Sequence, residues 1–89
     1  MKVIELLTDE ARYSRGEWAR RQDGTLCHWL DDDAYSFDLR GACKRCYEGK
    51  ELQKICDRIK RHLGVSSIEE WSDRTPFPVV RKLIHDLGI

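Results

Sequence analysis

Between Gly49 and Gly64, the residues Leu52, Ile55, Cys56, Ile59 and Leu63 recur three and four apart. That spacing returns to one side of a 3.6-residue helix and to no single face of a strand, so the segment must be an amphipathic helix seeking an apolar partner. Its charges agree with its direction, with Glu48 and Glu51 near the start and Arg58, Lys60 and Arg61 near the end. A chain of 89 residues can build one modest core. The remaining segments must therefore supply the surface against which this helix lies.

Ile4, Leu7 and Ala11, widened by Val3 and Leu6, predict a first helix over residues 2 to 14, stopped by Gly16. Asp23-Gly24 suits a two-residue turn and predicts a hairpin over residues 18 to 29. In that register Trp18 faces Trp29 and Arg20 faces Cys27, giving an aromatic pair that anchors the ribbon to the helices. Asp31, Asp32 and Asp33 are the expected capping carboxylates of a second helix from Ala34 to about Tyr47, carried by Ala34, Phe37, Gly41 and Ala42. Gly41-Ala42 in mid-helix predicts a notch where another helix or the ribbon comes close.

Ser66 and Ser67 each precede a glutamate by three residues, which predicts a short capped turn of helix ending near Trp71. Ser72-Asp73-Arg74 is the expected connector. Thr75 is the expected cap of a last helix, with Pro76 at its first position, Pro78 in its first turn, and Val79, Val80, Leu83, Ile84 and Leu87 buried. The fold class expected is mainly α: a small single domain, residues 1 to 89, of about four helices with one short β-hairpin after the first.

Charged residues make up 36% of the chain and no apolar run approaches a membrane span, so no membrane partner is expected. Glu5 interrupts the first apolar stretch, which argues against a signal peptide and for a cytoplasmic protein. Sixteen basic and sixteen acidic side chains cancel overall. Locally they do not, because residues 40 to 61 hold eight cations against three carboxylates, just after the acidic Asp31 to Asp38 stretch.

Cys27, Cys43, Cys46 and Cys56 contain one Cys-x-x-Cys, the spacing of a zinc half-site, but no second close pair completes it. Simple buried thiols are the expected reading, zinc the weaker one, and disulfides are disfavoured in a reducing compartment. Cys27-His28 cannot pair as nucleophile and base when they are neighbours on a strand, and no phosphate loop or calcium-loop spacing is present. The expectation is a protein that is not an enzyme and needs no cofactor.

Three binding readings remain. Trp29, Tyr35, Tyr47 and Trp71 exceed the aromatic surface so small a core can hide and are candidates for a shared patch, facing a protein partner or a second copy in a homodimer. Lys44, Lys50, Lys54, Arg58 and Arg61 are candidates for phosphate contacts with nucleic acid, although a solvated face relieved by Glu51 and Asp57 is the stronger account of them. Trp18, Arg20, Trp29 and Arg45 are candidates to clamp a small planar anionic ligand.

The segments Gly16-x-Trp18, Asp23-Gly24, Asp33-Ala34-x-x-Phe37-x-x-x-Gly41-Ala42 and Ile68-x-x-Trp71-Ser72-Asp73 resemble a family of short, uncharacterised proteins encoded by bacteria and their phages. Ser72 stands where that family usually has Asn. The resemblance covers nearly the whole chain and implies the helical architecture, and it leaves the function open; a non-enzymatic accessory module that binds a protein partner is the expectation from size and the lack of catalytic constellations. Trp71 is then expected to cover the Gly41-Ala42 notch, and Asp73 to cap or tether the last helix.

Overall fold

The computed structural model describes residues 1–89. In chain order it contains α1 (Val3–Leu6), a 3-10 turn (Glu10–Arg12), β1 (Ala19–Arg21), β2 (Ala34–Phe37), α2 (Leu39–Cys46), α3 (Gly49–Leu63), α4 (Ile68–Asp73) and α5 (Phe77–Leu87). The domain is mainly α with one antiparallel two-stranded ribbon after the first helix, as expected. No helix is long and apolar enough to cross a membrane.

α2 is the central element and packs on α1, α3, α4 and β2, while α5 closes over α1. Phe37, Leu39, Ala42, Ile59, Ile68, Val80 and Ile84 form the middle of the core. The stripe of α3 turns Cys56 and Ile59 fully inward, with Leu52, Ile55 and Leu63 half-buried at its margin. Gly64 takes a left-handed conformation and stops α3, its N–H and that of Val65 both donating to the Lys60 carbonyl. Ser67 caps α4 as its spacing predicts, its Oγ accepting from the Glu70 N–H at 3.2 Å.

The N-terminal half departs from expectation in three places. The helix predicted over residues 2 to 14 is broken after Leu6, because the Asp9 carboxylate accepts the Ala11 N–H and starts a separate turn. Ala11 is exposed, and Tyr13 leaves that turn in extended conformation. The helix predicted from Ala34 begins only at Leu39. Residues 34 to 37 are a strand whose last two residues, Ser36 and Phe37, are buried, and Asp38, not the Asp31 to Asp33 run, caps α2 through a 2.6 Å bond from the Gly41 N–H. The run instead holds Arg21, whose Nε lies 2.7 Å from Asp33 and whose Nη2 lies 3.5 Å from Asp31.

The third departure concerns the ribbon. Asp23-Gly24 does form a turn, with Gly24 at φ 90° and Asp23 accepting from the Thr25 N–H. Past it, the chain makes only one isolated bridge, Arg20 to Leu26, one residue off the expected Arg20–Cys27 pairing. The ladder partner of β1 is β2, with Ala19 opposite Phe37 and Arg20 opposite Ser36. A side-chain pair expected of the shorter hairpin nevertheless forms: Trp18 and Trp29 meet edge to face with centroids 5.1 Å apart.

The notch predicted at Gly41 is real, and the ribbon fills it. A Cβ there would lie 1.7 Å from the Trp18 carbonyl oxygen and 2.8 Å from its Cα. Backbone, not the Trp71 ring, therefore covers Gly41. Asp73 likewise serves a different end than expected, accepting the Gly16 N–H at 2.8 Å and so holding the approach to β1 against α4. At α5, Thr75 does not cap; its hydroxyl donates back to the Trp71 carbonyl, Pro76 is the capping residue, and Pro78 lies in the first turn. Phe77 takes the buried place expected for Val79, which is exposed.

Candidate functional site

The loop from residue 22 to 33 is long for a ribbon, yet it is tied at both ends. Arg45, on α2, donates to the carbonyls of Trp29 at 2.9 Å and Asp31 at 2.8 Å. His28 stacks on Trp29 with centroids 3.9 Å apart, and its Nδ1 accepts the Leu30 N–H. Lys44, one residue before Arg45, sets its ammonium 4.3 Å from the Trp18 ring centre and 4.6 Å from that of Trp29. Two adjacent cations of α2 thus hold the loop, one through its carbonyls and one through its aromatic faces.

This arrangement leaves an open groove of about 510 Å³ between the loop and the α2–α3 junction, lined by Trp29, Leu30, Lys44, Arg45, Cys46, Tyr47, Glu48, Glu51 and Leu52. Leu30 stands at its lip with 58% of its surface exposed. Tyr47 is pinned by its hydroxyl, which donates to the Ile89 carbonyl at 3.0 Å. Glu48 and Glu51 are exposed and their side chains make neither ion pair nor hydrogen bond. The groove therefore offers a visitor the apolar side chains of Trp29, Leu30, Tyr47 and Leu52 among its lining and two free carboxylates, its two cations being engaged internally.

Of the four aromatic candidates, the structure brings Trp29 and Tyr47 to this groove. Tyr35 lies elsewhere, with the Arg12 guanidinium 4.5 Å over its ring, and Trp71 is half-buried against the core on α4. Leu30 was not singled out by sequence, although a lone leucine directly before three aspartates is the available signal. The ligand clamp does not assemble, because Arg45 is spent on loop carbonyls and Arg20 on those of Gly24 and Arg15.

Lys44 is likewise removed from the nucleic-acid candidates by its seat over the tryptophans. Lys50, Lys54, Arg58 and Arg61 remain exposed along α3, where their spacing keeps them on one side over about 16 Å. None of them forms a salt bridge. Arg58 donates to the Leu87 carbonyl.

The four thiols are unlike one another. Burial pushes Cys27 up and Cys46 up to about 11. Cys43 and Cys56 meet across the α2–α3 contact, where hydrogen bonding from Cys43 and the Arg40 guanidinium bring Cys56 down to about 6 while Cys43 keeps its proton. No three His, Cys, Asp or Glu side chains come together as a metal-ligand group, so Cys27, Cys43, Cys46 and Cys56 do not share one centre. Beside the Trp18 segment, burial raises Asp38 to about 7, with Glu69 and Asp73 adding to the effect and the Gly41 N–H opposing it. The chain matches no family model, no curated protein and no solved structure, so its function has to be argued from this geometry.

Proposed function

We propose that the chain is a non-enzymatic protein-binding module whose recognition surface is the groove between the Trp29–Leu30 loop and the α2–α3 junction. The observation that carries the reading is Leu30, a large apolar side chain held 58% exposed at the lip of a groove whose walls are internally braced. A rigid loop loses little further freedom on binding, so an exposed anchor on it is well placed for recognition. The free carboxylates of Glu48 and Glu51 specify the visitor further: a segment in which a bulky apolar side chain sits beside lysine or arginine. An accessory role in the cytoplasm fits a module of this size.

Selection from a random peptide library tests this directly. Enriched peptides are expected to pair leucine or an aromatic residue with a neighbouring cation, and the best of them should lose about tenfold or more in affinity against Leu30→Asp and against Glu51→Lys. Both changes are on exposed side chains and should leave the helical spectrum intact. Acidic peptides, or binding indifferent to Leu30, would overturn the reading.

A second reading rests on the unpaired cations of α3. Lys50, Lys54, Arg58 and Arg61 could track a phosphate backbone, with affinity falling steeply as salt releases the counterion advantage. Anisotropy titrations with duplex and single-stranded oligonucleotides at about 50 mM salt decide it, since no binding there removes it.

A further inference from the structure

Arg40 sits half-buried in the first turn of α2 and forms no ion pair. Its only side-chain hydrogen bond goes from Nη1 to the Sγ of Cys56. A guanidinium is always charged, and half out of water it needs an anion to face. A neutral thiol meets that need poorly and a thiolate meets it well. Cys43, three residues after Arg40, lies on the same face of α2, and it shares with Cys56 the core where α2 packs on α3. Lys60, one turn further along α3 from Cys56, adds a second cation. Neither Cys27 nor Cys46 has such surroundings, since burial raises both.

We propose that Cys56 and Cys43 form a peroxide-oxidisable dithiol, in which Cys56 is the attacking sulfur, Cys43 the resolving thiol and Arg40 the group that holds the thiolate. The Cys56 thiolate attacks one oxygen of hydrogen peroxide; an S–O bond forms, the O–O bond breaks, and hydroxide leaves, taking up as water the proton that Cys56 released on ionising. The resulting Cys56 sulfenic acid is then attacked by the Cys43 sulfur. The S–S bond forms, the S–O bond breaks, and the Cys43 proton departs with the hydroxyl as water. Two thiols have given two electrons to one peroxide, which ends as two waters, and an excess of a small thiol returns the pair to the reduced state. Cys56 is 4% exposed and Cys43 fully buried, so a peroxide of water-like size is expected to react faster than a bulky organic hydroperoxide.

This site is independent of the groove, and its test needs no partner. The folded chain is treated with equimolar hydrogen peroxide, quenched, and its intact mass and non-reduced peptides are measured. Loss of two hydrogen masses, carried by a peptide joining Cys43 to Cys56, is the expected result, with cumene hydroperoxide reacting more slowly. Cys43→Ser should accumulate a sulfenic acid at Cys56 that a dimedone-type reagent captures, and Arg40→Gln should slow oxidation by about tenfold or more. Oxidation falling first on Cys27 or Cys46, Cys56 going to its sulfinic acid without a cross-link, or no reaction would each overturn the proposal. Because the wild-type chain alone decides among these outcomes, a poorly folding variant does not blunt the test.

Discussion

Replacing a helical glycine with alanine ordinarily stabilises by about 0.5–1 kcal/mol, because alanine loses less backbone freedom on folding. At Gly41 the opposite is expected. Ordinary contact begins near 3.4 Å, whereas the new Cβ would stand 1.7 Å from the Trp18 carbonyl oxygen and 2.5 Å from its carbon. These are backbone atoms and cannot rotate aside, so α2 and the segment entering β1 must separate by well over an ångström. Overpacking of this kind costs about 1–3 kcal/mol. Moving Trp18 also loosens its edge-to-face pair with Trp29 and its seat beneath Lys44, together about 1–2 kcal/mol. Setting the helix-propensity gain against these losses leaves Gly41→Ala destabilised by about 2–4 kcal/mol, a large part of the roughly 4–13 kcal/mol a domain of this size commands. Urea unfolding followed by far-ultraviolet circular dichroism should show the midpoint falling by about 1–2 M, with the near-ultraviolet tryptophan signal altered before the transition. A midpoint equal to or above that of the wild type would show that the ribbon does not need to lie on Gly41, and the reasoning would fail.

Asp38 is held at about 7, so between roughly pH 4 and pH 7 the native chain keeps a proton that the unfolded chain has released, and stability falls as pH rises through that window. Asp38→Asn keeps an acceptor for the Gly41 N–H while removing the charge; melting at pH 8 should rise, by as much as about 4 kcal/mol, and the acid-side slope should flatten. Parallel pH profiles for the two proteins would refute this. Ser72 is fully buried, and its Oγ accepts the Leu39 N–H at 3.1 Å while lying 3.0 Å from the Tyr13 hydroxyl. Ser72→Ala strands that backbone donor at the start of α2 and should cost about 1–3 kcal/mol in chemical denaturation, an expectation that a neutral substitution would contradict.

The C-terminal half of the fold was legible because each of its helices carries both a period and a stop. α3 runs between Gly49 and Gly64, α4 starts at a capping serine, and α5 has proline in its first turn. The N-terminal half was decided by partners distant in sequence. Ala34, Phe37 and Gly41 fit a helical spacing, yet β1 recruits residues 34 to 37 as a strand, and Asp38 is then the nearest residue able to cap α2. Likewise, three aspartates before an alanine look like a cap until Arg21 claims two of them. The Trp18–Trp29 pair could be seen from the Asp23-Gly24 turn, but Lys44 above it could not. Its place depends on α2 crossing the ribbon at Gly41, which periodicity does not encode. Ser72 illustrates the same limit: its role depends on α4 lying beside the first turn of α2.

Ile89 is only 1% exposed, and its carbonyl accepts both the Val3 N–H and the Tyr47 hydroxyl. α1, four residues long and far too short to persist by itself, is held in place by α2, by α5 and by this carbonyl. The groove wall at Tyr47 and the seat of α1 thus hang on a single carbonyl, and a change that displaces Ile89 is expected to loosen both at once.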